Sequence, residues 1–311
     1  MSRGGAPPRI AAGNLTQDLD LSQDELHELL ALTRELKRSP QAFGRALAGK
    51  YASILFEKPS LRTRLTFELA FKQLGGDSVT SNGPIGAREP LKDVARNLER
   101  WTHCIVARTF SQRTIDELAQ WASVPVINAL SDLYHPCQAL ADVFTLLEQF
   151  GELRGLKLAF VGDGNNVAHS LMLDAPRLGI DFAIATPPGY EPNAEIAAAA
   201  AGLAAVAGTR LEVTHEPEEA VRGAQAVYTD VWASMGQEAE AERRRRDFAP
   251  YQVTPELLAK AAPEAVFMHC LPAKRGEETV DEVIESCRSV VFAQAENRLH
   301  TQKALLLMLL A

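Results

Sequence analysis

Residues 51–64 read YASILFEKPSLRTR, and this stretch decides the fold. Its first half, Tyr51–Phe56, is a short apolar run typical of a buried β-strand, and its second half opens directly into a helical segment. The same succession recurs along the chain. The further predicted strands are Cys104–Ala107, Val124–Asn128, Lys157–Val161, Phe182–Ala185, Ala226–Thr229, Val266–His269 and Ser289–Phe292. Such alternation predicts parallel sheets with helices on both faces.

Helices are predicted between and around these strands. Ser22 and Glu25 form a capping box, which predicts the start of the first helix. The later predicted helices are Leu61–Leu74, Thr114–Ala122, Pro136–Phe150, Val167–Leu178, Asn193–Val206, Glu278–Cys287 and a last helix that ends at Leu310. One sheet does not easily hold this many strands, so we expect two α/β domains. The polar turn Gly151–Gly155 gives their boundary, with domains over 1–150 and 151–311.

The composition restricts the class of protein and its partners. The chain has 311 residues, 32 basic and 40 acidic side chains, a formal net charge of −8 and 46% hydrophobic residues. These values are typical of a globular protein and argue against nucleic acid as a general partner. No apolar stretch approaches the roughly 18 residues of a membrane span, so no membrane partner is expected. The four cysteines form no CxxC pair, which favours a reduced, cytoplasmic protein without structural zinc.

An anion site is predicted where the first strand meets its helix. A helix N-terminus offers N–H groups without intrahelical partners and a partial positive charge. Ser60 and Thr63 add hydroxyl groups there, and Arg62 adds a guanidinium group suited to phosphate oxygens. The alternative is that Ser60 only caps the helix while the arginines are solvated.

Polar residues also follow two other predicted strands. Arg108 comes directly after one strand, and His135 and Gln138 lie at the start of the helix that follows the other. A lone histidine before a helix is more often structural than catalytic. Because parallel sheets bind ligands beyond the carboxyl ends of their strands, we expect these residues to act together with the anion site.

Several motifs resemble those of the aspartate/ornithine transcarbamylase family. In the first half they are Phe56–Arg64 (FEKPSLRTR), Val106–Thr109 (VART) and His135–Gln138 (HPCQ). In the second half they are Val161–Asn166 (VGDGNN), Asp230–Gly236 (DVWASMG), His269–Pro272 (HCLP) and Glu296–Arg298 (ENR), which are similar to those of the ornithine-using members. The similarity runs from about Asn14 to the C-terminus in the family's order.

This resemblance implies a fold, a reaction and an assembly. A carbamoyl-phosphate domain would precede an amino-acid domain, each a parallel sheet flanked by helices, and the last helix, about 294–311, would pack back on the first domain. The family members transfer the carbamoyl group of carbamoyl phosphate to the δ-amine of L-ornithine, giving L-citrulline and phosphate, in arginine biosynthesis or catabolism. They use no metal and no organic cofactor, and a homotrimer or a multiple of trimers is expected.

The resemblance also implies roles for individual residues in the first ligand site. The expected carbamoyl-phosphate contacts are Ser60, Leu61, Arg62, Thr63, Arg108, His135, Gln138, Cys270, Leu271 and Arg298. Thr63, Arg108 and His135 would direct donors at the carbamoyl oxygen, and Gln138 would bind the carbamoyl amine. Leu61 stands where the family often has threonine, so only its backbone N–H is expected to bind phosphate.

A second set of residues is implied for ornithine. The expected contacts are Asn166, Asp230, Ser234 and Met235, and the expected catalytic residues are Arg108, His135, Asp230 and Cys270. Asp230 and Cys270 would lie beside the δ-amine, with a backbone carbonyl from Leu271. Presenting an alkyl amine in its neutral form at pH 7 costs roughly 4–5 kcal/mol. Both Asp230 and Cys270 remain open as the group that influences removal of the amine proton.

Two other patterns have simpler explanations than the functions they suggest. Gly162–Val167 superficially matches a dinucleotide loop, but Val167 replaces the last glycine and no acidic residue follows the next strand. Arg243–Arg246 suggests a nucleic-acid patch, but Glu240–Arg244 and Glu242–Arg246 have the i,i+4 spacing of ion pairs. A solvated, charged segment is therefore predicted, and in the family this region is a mobile lid over ornithine.

Rival functions share much of this evidence. Another amine acceptor, such as N-acylated ornithine, putrescine or aspartate, would use the same first domain. A non-catalytic ligand-binding member of the family is the rival from a different class. The loop Ser81–Glu89 resembles one that reaches a neighbouring subunit's site, but it is short and contains Pro84, so no cross-subunit contact is assigned.

Overall fold

The computed structural model describes residues 8–233 and 238–311. Its strands are β1 (Tyr51–Phe56), β2 (Asp77–Asn82), β3 (Cys104–Arg108), β4 (Val126–Leu130), β5 (Lys157–Val161), β6 (Asp181–Ala185), β7 (Leu211–Thr214), β8 (Ala226–Thr229) and β9 (Val266–His269). Its helices are α1 (Gln23–Arg38), α2 (Leu61–Gln73), α3 (Leu91–Trp101), α4 (Gln112–Trp121), α5 (Pro136–Phe150), α6 (Asn166–Arg177), α7 (Ala194–Ala207), α8 (Pro217–Val221), α9 (Ala241–Phe248), α10 (Pro255–Leu258), α11 (Asp281–Ile284) and α12 (Val291–Leu310). The chain forms two compact units, the first comprising Met1–Phe144 with Asn297–Ala311 and the second comprising Thr145–Glu296.

The first unit is built on a four-stranded parallel sheet in the order β2-β1-β3-β4. One face of the sheet packs Ile105 against Ile115 and Leu118 of α4. Because side chains alternate along a strand, the neighbouring residues Ile54 and Val106 lie on the opposite face, and they are also fully buried. Burial on both faces explains why these strands are continuous apolar runs in the sequence.

The second unit is built on a five-stranded parallel sheet in the order β7-β6-β5-β8-β9. Val227 and Phe267 lie in a core with Trp232 and with Phe248 of α9. The rings of Trp232 and Phe248 stack with centroids 6.0 Å apart. The predicted pair of parallel sheets flanked by helices is therefore confirmed.

The predicted start of the first helix and the predicted end of the last helix, at Leu310, are also confirmed. Ser22 caps α1: its Oγ accepts the Glu25 N–H at 3.2 Å, and the Glu25 carboxylate accepts the Ser22 N–H at 2.7 Å. The end of α12 belongs to the first unit, where Lys37 Nζ donates to Asn297 Oδ1 at 2.9 Å. The last helix therefore packs back on the first unit, as expected.

Two local predictions near the C-terminus are wrong. The predicted strand Ser289–Phe292 is replaced by a single bridge between Ser289 and Phe267, after which α12 begins at Val291. The predicted helix Glu278–Cys287 shrinks to the four residues of α11. Glu278, the first residue of the predicted helix, is fully buried and hydrogen-bonded to His269, so it cannot serve as an exposed helical residue.

Several described elements have no counterpart in the sequence prediction. They include two edge strands, β2 and β7, and the helices α3, α8 and α10. Edge strands have one open side, and β2 is mostly exposed and polar, so it lacks the apolar run by which buried strands are recognised. In the described part of the chain, no helix is both long and apolar enough to cross a membrane.

Candidate active site

The N-terminus of α2 has the features of an anion site. Ser60 is the N-cap residue, yet its side chain makes no capping hydrogen bond in the described structure. The alternative in which Ser60 only caps the helix is therefore not supported. Leu61 is 70% exposed, Arg62 is half-buried and Thr63 is fully buried. The first turn thus presents backbone N–H groups, a hydroxyl group and a guanidinium group together.

Arg298 of α12 lies against this first turn. Its Nη2 donates to Thr63 Oγ1 at 2.6 Å, and both side chains are buried. Because the guanidinium group supplies that hydrogen, the hydroxyl hydrogen of Thr63 remains available to a further acceptor. The contact joins residues 235 positions apart in the chain.

The ends of β3 and β4 bring Arg108 and His135 into the same unit. Phe56 pairs with Arg108 in the sheet, and the Glu57 N–H donates to the Arg108 carbonyl at 2.9 Å, so Arg108 lies beside the end of β1. His135 is buried immediately before α5. Burial, and then the positive charges of Arg298 and Arg108, holds the pKa of His135 well below its usual value. His135 is therefore a neutral imidazole at physiological pH.

Gln138 lies in the first turn of α5, where its N–H donates to the His135 carbonyl at 2.9 Å. Its side chain is fully buried, and its Nε2 donates to Asp142 Oδ1 at 2.7 Å. Asp142 was not predicted as a site residue, although a single acidic residue in the apolar run ALADVF was a signal for it.

Glu57 is a second functional candidate that sequence reasoning missed. Its carboxylate accepts the N–H of Ile85 at 3.0 Å and the N–H of Phe110 at 2.9 Å. It therefore ties the end of β1 to the loop after β2 and to the loop after β3. The adjacent side chain of Lys58 is buried, with its Nζ 4.5 Å from the centroid of the Phe110 ring.

In the second unit, Asp230 and Cys270 lie side by side because their strands are neighbours. Thr229 pairs with His269 at the ends of β8 and β9, so the residues that follow leave the sheet together. Cys270 Sγ donates to Asp230 Oδ1 at 3.0 Å, and Asn165 Nδ2 donates to Asp230 Oδ2 at 2.8 Å. The buried Asp230 carboxylate is thus held by two side chains from different loops.

The turn that carries Cys270 is fixed by a histidine that the sequence analysis assigned no role. The Leu271 N–H donates to His269 Nδ1 at 2.8 Å, so the ring proton is on Nε2, which lies 3.1 Å from Glu278 Oε1. Both side chains of this pair are fully buried. Leu271 has φ 57°, and it is the one non-glycine residue with positive φ in the described chain. This network stabilises an unfavourable backbone conformation next to Cys270.

The remaining predicted ornithine residues are placed only in part. Asn166 is the first residue of α6, directly after the N-cap Asn165, and it is half-buried. Ser234 and Met235 lie outside the described residues, as does the start of the predicted lid.

The segment Arg243–Arg246 differs from its prediction. The expected pair forms, with Arg244 Nε 3.3 Å from Glu240 Oε2, but Arg244 is buried and also donates to Asp163 Oδ2 at 2.9 Å. In the described chain no ion pair joins Glu242 and Arg246. The expectation of a solvated segment is therefore wrong for Arg244, since the position of Asp163 could not be read from the sequence. Burial raises the pKa of Asp163 to about 6, against the opposing effect of Arg244.

Asp230, His269 and Cys270 also offer three potential metal ligands within 4.8 Å of one another. In this structure, however, both ring nitrogens of His269 lie in hydrogen bonds, and so does the Cys270 thiol. A metal would have to replace those bonds, so this donor set is better described as a hydrogen-bonded cluster.

Two family models match the chain, one for each half. The carbamoyl-phosphate-binding domain of aspartate/ornithine carbamoyltransferases matches residues 14–148, and their Asp/Orn-binding domain matches residues 154–309. The chain therefore belongs to the aspartate/ornithine carbamoyltransferase family.

Several proteins similar to this chain are ornithine carbamoyltransferases. That of Symbiobacterium thermophilum is 53% identical over 297 residues, which is 94% of this chain and 96% of the relative. The structure of ornithine carbamoyltransferase from Pyrococcus furiosus has a TM-score of 0.92 and 46% identity, covering 97% of this chain and 96% of its own. That from Thermus thermophilus has a TM-score of 0.86 and 50% identity, covering 96% and 99%.

Proposed function

We propose that this chain transfers the carbamoyl group of carbamoyl phosphate to the δ-amine of L-ornithine, giving L-citrulline and phosphate. The observation that carries the proposal is the 53% identity, over 94% of the chain, with an ornithine carbamoyltransferase. The two clusters of polar side chains supply the chemistry that this reaction needs.

The first unit binds carbamoyl phosphate at the start of α2. The phosphate accepts hydrogen bonds from the side chains of Ser60, Arg62 and Thr63 and from the backbone N–H of Leu61. The positive end of the α2 dipole and the guanidinium group of Arg108 add electrostatic attraction. The exposed Leu61 side chain has no part in this contact, which explains why a leucine is tolerated there.

The carbamoyl oxygen is bound by Thr63, Arg108 and His135. As the amine adds to the carbamoyl carbon, this oxygen gains negative charge, and each donor already aimed at it contributes roughly 2.7–4 kcal/mol to the transition state. Since His135 is neutral, its ring donates a hydrogen bond without transferring its proton. Gln138 binds the carbamoyl amine. Arg298 donates a hydrogen bond to Thr63 and also contacts the carbamoyl amine.

The second unit binds ornithine. Asp230 and Cys270 contact the δ-amine and orient its lone pair, and Leu271 contributes its backbone carbonyl. Cys270 and Leu271 also contact the carbamoyl group. The α-amino and α-carboxylate groups are bound by Asn166, with Ser234 and Met235 completing this set. No metal or organic cofactor enters this reaction scheme, because the attacking amine and the departing phosphate need only hydrogen-bond donors, acceptors and positive charge.

We further propose that the active form is a homotrimer that uses the exposed face of α2. Leu61, Leu65 and Leu69 are spaced four residues apart on α2 and are 70%, 45% and 44% exposed. Val79 on the adjacent edge strand β2 is 68% exposed. Exposed apolar side chains in a row along a helix are typical of an interface. The free thiols of all four cysteines fit an assembly that works in the reducing cytoplasm.

The trimer is tested by light scattering on Leu65→Glu. We expect this variant to have the mass of a monomer, because a glutamate buried in the interface would be desolvated without a partner. The control is Val206→Glu, at a 91% exposed valine on α7, which should leave the mass unchanged. A trimeric Leu65→Glu variant would place the interface elsewhere.

The reaction is tested by a colorimetric citrulline assay with a panel of acceptors. Carbamoyl phosphate is offered with L-ornithine, N-acetylornithine, putrescine or aspartate, and product is expected with L-ornithine. Asp230→Asn should reduce turnover severely while carbamoyl-phosphate binding persists. Product only with another amine would show that this amine is the substrate. Tight carbamoyl-phosphate binding without any product would identify a binding protein. Normal steady-state kinetics in Asp230→Asn would remove Asp230 from the amine site.

A further inference from the structure

Asp142 lies one helical turn beyond Gln138 on α5. Both side chains are fully buried, and Gln138 Nε2 donates to Asp142 Oδ1 at 2.7 Å. Residues four apart on a helix share a face, so the contact needs no distortion of the backbone. A buried carboxylate destabilises a fold unless it is hydrogen-bonded, and an apolar residue would fill this position at lower energy. The carboxylate therefore needs an explanation beyond packing.

The contact fixes the orientation of the Gln138 amide. An amide group has two hydrogens on its nitrogen and two lone pairs on its oxygen, whereas a carboxylate only accepts hydrogen bonds. With Nε2 against Asp142, Oε1 is on the other side of the amide. A half-turn of the amide would bring two acceptor oxygens together at the distance of a hydrogen bond, which is strongly unfavourable.

The opposite end of the same amide is an acceptor without a donor. Gln138 Oε1 is buried and accepts no hydrogen bond from any residue that the structure describes. A buried acceptor without a donor destabilises the folded chain, and a ligand or a water molecule that donates a hydrogen bond to it removes this cost. The ligand group that fits it is an N–H donor.

We propose that Asp142 is a positioning residue. By orienting the Gln138 amide, it makes the first unit bind carbamoyl phosphate more tightly than an acyl phosphate that lacks the NH₂ group. The inference rests on the proposed function, in which the carbamoyl NH₂ group meets Gln138. With the amide held by Asp142, that NH₂ group donates to Oε1. With the amide reversed, two NH₂ groups would face each other, and an acyl phosphate with a methyl group at this position would bind no worse.

The test compares carbamoyl phosphate with acetyl phosphate, in which a methyl group replaces the NH₂ group. The ratio of their dissociation constants is measured by calorimetry in the absence of ornithine. Asp142→Leu removes the acceptor at similar volume and should lower the preference for carbamoyl phosphate about tenfold or more, through weaker binding of carbamoyl phosphate. Asp142→Asn retains an acceptor oxygen and should keep most of the preference.

The chain contains a matched control on α4. Gln112 Nε2 donates to Asp116 Oδ1 at 2.8 Å, with the same residue types at the same spacing, but on a different helix and with an exposed carboxylate. Asp116→Leu should leave the preference unchanged, which separates loss of a helical Gln–Asp pair from loss of amide orientation. A wild-type preference in Asp142→Leu would overturn the proposal.

A reciprocal exchange keeps the proposal testable even where Asp142→Leu does not fold. Gln138→Glu alone places two carboxylates together and should abolish the preference. Adding Asp142→Asn lets the introduced amide donate to the introduced carboxylate, whose second oxygen again accepts from the carbamoyl NH₂ group. Recovery of the preference in the double variant would support the proposal, and no recovery would refute it. Failure of the wild-type chain to form citrulline would refute the proposed function alone, because the binding ratio needs no turnover.

Discussion

Replacing Asp163 with asparagine should remove a destabilisation of the second unit that exists only at neutral pH. Asp163 is buried beside Arg244, and burial raises the pKa of its carboxyl group to about 6. In an unfolded chain that pKa is about 3.9. Each pKa unit corresponds to about 1.4 kcal/mol, so the ionised carboxylate lowers the free energy of unfolding by about 3 kcal/mol above pH 6.

The sign of the pH dependence follows from which state binds the proton more tightly. Between about pH 4 and pH 6 the folded chain holds the Asp163 proton and the unfolded chain does not, so the free energy of unfolding falls as the pH rises. Carboxylates with lowered pKa values have the opposite effect, and therefore only the comparison with Asp163→Asn isolates this group. Asparagine keeps an acceptor for Arg244. The free energy of unfolding of the variant, relative to that of the wild type, should therefore rise by about 3 kcal/mol as the pH increases from about 4 to about 7.

Urea unfolding followed by the fluorescence of Trp232 measures this difference. Trp232 is buried in the second unit, so Trp101→Phe and Trp121→Phe are introduced into both proteins to leave one reporter. Unfolding curves at several pH values from about 4 to about 7.5 give the two free energies. A difference that stays constant with pH, or that favours the wild type as the pH rises, would refute the reasoning.

Three further predictions concern the anion site and the loop after β5. Thr63→Val removes the oxygen that accepts from Arg298 at 2.6 Å and should weaken carbamoyl-phosphate binding about tenfold or more, whereas Thr63→Ser should bind normally in calorimetry. Arg62→Ala should lose carbamoyl-phosphate binding while its circular dichroism stays unchanged, and an unaltered affinity would exclude Arg62 from the phosphate site. Gly164→Ala should lower the free energy of unfolding by about 1–3 kcal/mol or more, because the new Cβ would stand 2.3 Å from the backbone nitrogen of Pro192. An unchanged urea midpoint would contradict that close approach.

Most elements with an apolar pattern could be predicted from the sequence, whereas an exposed, polar strand could not. Tyr51–Phe56 and Pro136–Phe150 are observed with their predicted bounds, because buried strands and helices require apolar runs and a proline suits the first turn of a helix. The edge strand Asp77–Asn82 was missed because its mostly exposed residues need no apolar pattern. The short helix Asp281–Ile284 was predicted too long because local propensity takes no account of tertiary contacts, such as that of Glu278 with His269.

The candidate site divides in the same way. The sequence pattern predicts Arg108 at the end of a strand and His135 directly before a helix, and the structure has Arg108 as the last residue of β3 and His135 directly before α5. The partners of such residues could not be predicted, since Arg298 and Arg244 contact side chains 235 and 81 positions away. No local pattern records these distances. Asp142 is the exception, because a lone carboxylate in an apolar helix is itself a signal.

The proposed ligand-contacting residues and the turn beside Cys270 share an arrangement that bears on catalysis. The pairs are Arg298 with Thr63, Asp142 with Gln138, Asn165 with Asp230, and Glu278 with His269. In each pair one side chain holds its neighbour in a fixed orientation before any ligand is present. Donors and acceptors that are already oriented need no reorganisation as charge develops, which is the main source of electrostatic catalysis. Burying these charged and polar groups is unfavourable, and the favourable free energy of folding offsets that cost. Variants of the supporting partners should therefore lower turnover even where the ligand-contacting residues remain in place.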